Sequence, residues 1–155
     1  MLSATVLNAV SLDKPAPAFV LPNTHHEKTA LADERGLVVF VNFWASWCAP
    51  CQMELPELNR LAAEYKGKKV KVLAINVDES RADAQKLLTK MGLTAPALEI
   101  LWDTKSKVVS AYDIQVMPSS FILDAHGIIR YTHQGFREYD PRIWRDELAA
   151  LLQKK

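Results

Sequence analysis

The chain has 155 residues, 49% of them apolar and 24% charged, which suits one globular domain over residues 1–155 with a sizeable core. Nineteen basic residues against eighteen acidic ones leave a formal charge of +1, so the charge balance makes no case for nucleic acid or an anionic membrane surface. No apolar run approaches a membrane span, and Met1 to Val10 lacks the basic and apolar stretches of a signal peptide, so the chain by itself reads as soluble and untargeted.

In chain order, Lys14-Pro15-Ala16-Pro17-Ala18-Phe19-Val20-Leu21-Pro22 reads as extended, because each proline disfavours helix in the residue before it. Asn23 to Lys28 is polar and turn-like, with His25 and His26 at a solvated tip; Thr29 to Leu31 returns as a short strand, and Ala32 to Gly36 is a loop. Leu37 to Phe43 is nearly all apolar and rich in valine and phenylalanine, the pattern of a strand buried on both faces, and Asn42 is its only polar member. Beyond Trp47 the apolar positions become Met53, Leu55, Leu58, Leu61, Ala62 and Tyr65, a helical spacing. Cys48 therefore falls just before the first helical turn and Cys51 within it.

Both cysteines of the protein lie at this junction. The unpaired N–H groups and positive dipole end of a helix stabilise a thiolate, and such settings lower cysteine pKa values from about 8.5 to roughly 3.5–7.5. Cys48 is thus expected to be the nucleophile and Cys51 its shielded partner. Two cysteines three positions apart on one turn can also close a disulfide, so the pair can cycle between dithiol and disulfide. Zinc would require about four ligands, and no second cysteine or histidine pair has ligand spacing: His25 and His26 are adjacent in a loop, and His126 and His133 are distant in sequence. No metal and no cofactor are expected.

Gly67-Lys68-Lys69 ends the helix, and Val70 to Val77 is a second buried strand, giving a parallel strand-helix-strand unit. Ser80 to Met91 is an amphipathic helix that Gly92 terminates, Leu98 to Trp102 a short strand, and Lys105 to Tyr112 a short helix. Phe121 to Leu123 and Ile128 to His133 read as a hairpin turning at Asp124-Ala125-His126-Gly127, with Pro118 at the start of its first strand. Asp140 is the expected N-cap of a closing helix with Pro141 in its first turn and Ile143, Trp144, Leu148, Leu151 and Leu152 on its apolar face. Alternating strands and helices ending in a hairpin and a helix predict a mixed central sheet flanked by helices.

Asn-Phe-Trp-Ala-Ser-Trp-Cys-Ala-Pro-Cys-Gln-Met-Glu-Leu-Pro, from Asn42 to Pro56, resembles the active-site stretch of the thioredoxin superfamily, and within it of the TlpA/ResA-like extracytoplasmic thiol-disulfide oxidoreductases. The resemblance covers the chain from about Leu12 onward. It implies a thioredoxin-like α/β fold with an N-terminal β extension and an inserted helical segment, an exported or membrane-tethered protein, periplasmic or otherwise extracytoplasmic, with a cytoplasmic one as the alternative, and catalysis by Cys48 and Cys51. It also implies a cis bond between Met117 and Pro118, with Trp47, Pro50, Met117 and Pro118 lining the substrate groove. Where ordinary thioredoxins carry a buried aspartate this chain has Asn42, which cannot serve as a base; Glu54 matches the Cys-x-x-Cys-x-x-Glu position of ResA-like proteins. Its two readings are a base near Cys51 and a carboxylate answering the helix dipole. The expected partners are a disulfide-containing protein substrate, such as apocytochrome c or a copper-site protein, and an upstream membrane thiol reductant, with the protein a monomer. Ala49-Pro50 does not fix the direction of exchange; the resemblance favours a reductant. The alternatives are a peroxiredoxin-like thiol peroxidase, whose usual proline would stand where Trp44 is, and a Sco-type copper chaperone, which uses a wider cysteine spacing.

Overall fold

The computed structural model of the protein describes residues 10–154, so all but Val10 of the stretch Met1 to Val10, weighed above for signal-peptide features, lies outside the described residues. The proline-rich segment is extended and runs into an antiparallel ribbon, β1 (Val20–Pro22) and β2 (Lys28–Ala30). Asn23 closes the ribbon's turn, its Oδ1 accepting the N–H groups of His25 and Glu27. Leu31, expected to end the returning strand, instead starts a 3-10 turn, Leu31–Glu34; its N–H still donates to Phe19 O at 3.0 Å, the last rung of the ribbon, while its side chain is drawn into the core.

The main elements then follow as β3 (Val38–Trp44), α1 (Ala49–Glu64), β4 (Val70–Asn76), α2 (Arg81–Lys90), β5 (Glu99–Trp102), α3 (Lys107–Ala111), β6 (Ser119–Leu123), β7 (Ile129–Gln134) and α4 (Asp140–Leu152). The sheet order is β5-β4-β3-β6-β7, with β3, β4 and β5 parallel and β6 and β7 antiparallel to their neighbours. This is the mixed sheet flanked by helices that the sequence predicts. The stretch between β4 and β6 supplies α2, β5 and α3, and β5 forms one edge of the sheet.

All seven residues of β3 are buried because both of its faces are covered. Val38, Phe40 and Trp44 point to one face, against Leu55, Leu58 and Leu61 of α1 and Trp144 and Leu148 of α4. Val39, Val41 and Phe43 point to the other, against Phe19, Leu21, Val108 and Tyr112. Phe40 meets Trp144 edge-on at 5.3 Å, a geometry that adds about 0.5–1.5 kcal/mol to area burial. On the opposite face the Tyr112 hydroxyl donates to the Pro17 carbonyl at 2.7 Å, which fastens the N-terminal extension to the sheet.

Asp140 departs from the sequence expectation. It is the first residue of α4 rather than its N-cap, and Tyr139 occupies the cap position without a side-chain bond. The Asp140 carboxylate is buried and turns back to accept the Arg137 N–H at 2.7 Å, because packing of the preceding turn offers that donor first.

Candidate active site

β3 delivers the chain to the end of the sheet, where Ala45 to Trp47 form a short connection into α1. Ser46 is held there from two sides. Its N–H and hydroxyl donate to the two oxygens of Asp78 at 2.9 and 2.7 Å, and its carbonyl accepts from Gln52 Nε2 at 3.1 Å. Asp78 is itself fixed by Asn76 Nδ2 at 2.7 Å. Trp47, released beyond this anchor, is 70% exposed.

Cys48 is the N-cap of α1. Its backbone is extended, and its Sγ accepts the N–H of Cys51 at 3.3 Å. Pro50 follows in the first turn, where a missing N–H has no intrahelical partner to lose. Cys48 and Cys51 form a disulfide with Cα atoms 5.3 Å apart, and only Cys48 retains accessible surface. The sulfur expected to attack thus faces the free N–H groups of the helix, and the other is enclosed by core.

Glu54 lies one turn beyond Cys51 and is 2% exposed, which is not the setting of a solvated carboxylate answering a dipole. Asn42 Nδ2 donates to Glu54 Oε1 and also to Ser120 Oγ at 3.0 Å. The sheet register makes this possible by pairing Asn42 with Ser120 across β3 and β6. Burial pushes the Glu54 carboxyl up from 4.5 to about 8, the Asp140 carboxylate across on α4 pushes the same way, and the Asn42 bond pulls against both.

Register also pairs Phe43 with Ser119, so Met117 and Pro118 leave β6 beside Trp44 and Ala45, the residues leading to Cys48. The Met117–Pro118 bond is cis, as the family resemblance implies. Pro118 O accepts from Gly135 at 2.8 Å, whereas Met117 has no backbone partner among the described residues. Val116, directly before Met117, is an exposed apolar side chain at 42%. Among the described residues no group of three or more His, Cys, Asp or Glu side chains could hold a metal ion.

The structure therefore brings Cys48, Cys51, Glu54, Trp47, Pro50, Met117 and Pro118 to one end of the molecule. Sequence reasoning did not identify Ser120, Asp78 and Asp140 as members of this end. The available signals were polar residues inside or abutting apolar runs: Asn42 in β3, Ser119-Ser120 opening β6, and Asp78 just beyond β4.

The AhpC/TSA family pattern matches residues 12–132, from the proline-rich segment into β7. The chain belongs to the AhpC/TSA family. Within it, the chain is 37% identical to the thiol-disulfide oxidoreductase ResA of Geobacillus kaustophilus, over 81% of this chain and 71% of that protein. Identity to ResA of Bacillus subtilis is 33%, over 81% and 73%. A crystal structure from Chlorobium tepidum, provisionally described as a thiol:disulfide interchange protein DsbE, superposes with TM-score 0.85 at 33% identity, covering 93% of this chain and 99% of that one. A thiol-disulfide oxidoreductase from Bacteroides fragilis gives TM-score 0.73 at 30% identity, covering 87% and 99%. This family member is ResA-like and thioredoxin-like in fold, and its Cys48–Cys51 disulfide fits a Cys-x-x-Cys redox motif.

Proposed function

We propose that the protein reduces disulfides in extracytoplasmic protein substrates and is returned to its dithiol form by a membrane thiol reductant. In the dithiol form the Cys48 thiolate attacks one substrate sulfur, forming a Cys48–substrate mixed disulfide and releasing the other substrate sulfur as a thiolate that takes a proton from solvent. Glu54 then accepts the Cys51 S–H proton as the Cys51 sulfur attacks Cys48 Sγ. The second substrate thiolate leaves and is protonated, so the substrate gains two electrons and Cys48 and Cys51 lose two. The observation that carries this order is the asymmetry of the pair: Cys48 Sγ caps α1 and the residue keeps 5% of its surface accessible, while Cys51 keeps none.

Substrate engagement is assigned to the unpaired Met117 backbone and the apolar rim of Trp47, Pro50 and Val116. An extended substrate strand pairing with Met117 would lay its disulfide against Cys48 in a β-augmentation mode. The extracytoplasmic setting and the reducing direction are supported by the resemblance to ResA-type proteins. The test is trapping: the Cys51→Ala variant should accumulate mixed disulfides with substrate proteins, and the Cys48→Ala variant should not. Faster alkylation of Cys51 than of Cys48 in the reduced protein at neutral pH would overturn the assignment.

A further inference from the structure

The polar side chains beneath α1 form a connected row whose members lie on different elements. Asn42 is fully buried at the centre of β3, and both hydrogens of its amide nitrogen are in use, one on Glu54 Oε1 and one on Ser120 Oγ. Its Oδ1 is buried without a partner among the described residues. Leaving a buried acceptor unmet is unfavourable by about 1–3 kcal/mol, and a turned amide could let Oδ1 accept a proton from a neutral Glu54. The amide instead presents its donor. The Ser120 hydroxyl, 1% exposed, accepts the second N–H from the neighbouring strand.

We propose that Asn42 and Ser120 are positioning residues that lower the proton affinity of Glu54 beside Cys51, against the pull of burial: Ser120 accepts one N–H of the Asn42 amide, and the other N–H donates to the ionised form of Glu54. This inference rests on the reading of Glu54 as the acceptor of the Cys51 proton. An amide donor stabilises a carboxylate more than a carboxylic acid, and a bond to a charged group is roughly twice as strong as a neutral one. The row thus opposes what burial does to the same group. The other titratable groups around Glu54 are Cys51 on α1 and Asp140 on α4; β3 and β6 present only Asn42 and Ser120 there, neither of which titrates, and the His133–Glu147 pair lies one strand further out, His133 being the register partner of Ser120.

The test is the Glu54 titration midpoint, followed by carboxyl carbon NMR in the oxidised full chain, with the mixed-disulfide resolution rate measured beside it in single turnover. Asn42→Leu should raise the midpoint by about one to two pH units, the loss of one charge-assisted bond, and slow resolution at pH 7 about tenfold or more. Ser120→Ala should move both in the same direction by less, and Ser120→Thr, which keeps the hydroxyl, should restore them. Alkylation of Cys48 should change less than twofold in all three. A midpoint that stays put or falls in both Asn42→Leu and Ser120→Ala overturns the proposal; if Asn42→Leu does not fold, Ser120→Ala against Ser120→Thr decides alone. Insulin reduction by the unmodified protein tests the oxidoreductase reading separately, since its failure would leave the titration result intact.

Discussion

Replacing Glu54 by glutamine should stabilise the oxidised protein, by an amount that grows with pH. Folding raises this carboxyl from 4.5 to about 8, chiefly through burial, so between those values the folded chain holds a proton that the unfolded chain has released. The contribution of Glu54 to stability is therefore fully present below pH 4.5 and is lost as pH rises through about 8. One pH unit corresponds to 1.36 kcal/mol, so the loss relative to a neutral side chain is about 3 kcal/mol at pH 7 and approaches 5 kcal/mol above pH 8. Glutamine keeps an oxygen to accept from Asn42 Nδ2 and nearly the same volume, and it does not titrate. Urea unfolding of the two oxidised proteins from pH 4 to 9 measures the difference directly, and other titrating groups cancel because both chains share them. With a slope of about 1–3 kcal/mol per molar urea, the variant's midpoint should exceed that of the parent by about 1–3 M at pH 7 and coincide with it near pH 4. Two curves that stay parallel within about 0.5 kcal/mol over this range would refute the reasoning, since Glu54 would then be ionised in the fold at little cost.

The Trp47→Ala variant should unfold within about 0.5 kcal/mol of the parent, because the side chain is 70% exposed, yet lose at least about fivefold in kcat/KM for a protein disulfide; equal losses on a small disulfide would place its role elsewhere. Gly127, at φ +78 in the β6–β7 turn, should not tolerate alanine freely: the backbone strain is about 1–2 kcal/mol, the Cβ would also meet the mobile end of Arg35, and thermal unfolding should fall by roughly 2–8 °C.

The strands, the helices and the cysteine junction were legible because each rests on local pattern. Leu37 to Phe43 is apolar apart from Asn42, and the period changes from strand to helix across Cys48, so both the burial of β3 and the capping position of Cys48 follow from neighbouring residues. Glu54 was legible as a position but not as an environment. Its partner Asn42 lies twelve residues earlier, and Ser120 reaches the same point only through the β3–β6 register. Asp140 shows the converse: aspartate before proline is a sound cap signal, but a buried carboxylate takes the donor that tertiary packing sets before it, here the Arg137 N–H. Asp78 was likewise invisible as the anchor of Ser46, because nothing near residue 46 announces a carboxylate from the loop just beyond β4.

The opposed forces on Glu54 also explain why an otherwise apolar strand carries an amide at its centre. A leucine at position 42 would match the surrounding core and remove a buried oxygen that has no partner. It would also leave Glu54 with burial and Asp140 alone, both of which keep the proton on the carboxyl, and a carboxylic acid cannot accept another from Cys51. Cys51 has no exposed surface in the disulfide, and under the proposed mechanism its thiol proton passes to an acceptor within the fold. Asn42 tips that acceptor toward its charged form without adding a second carboxylate, which at hydrogen-bond distance would share one proton with Glu54 and raise its proton affinity further. An aspartate at this position in ordinary thioredoxins and an asparagine here are thus not interchangeable: with the carboxylate moved to α1, the strand position has to supply the donor.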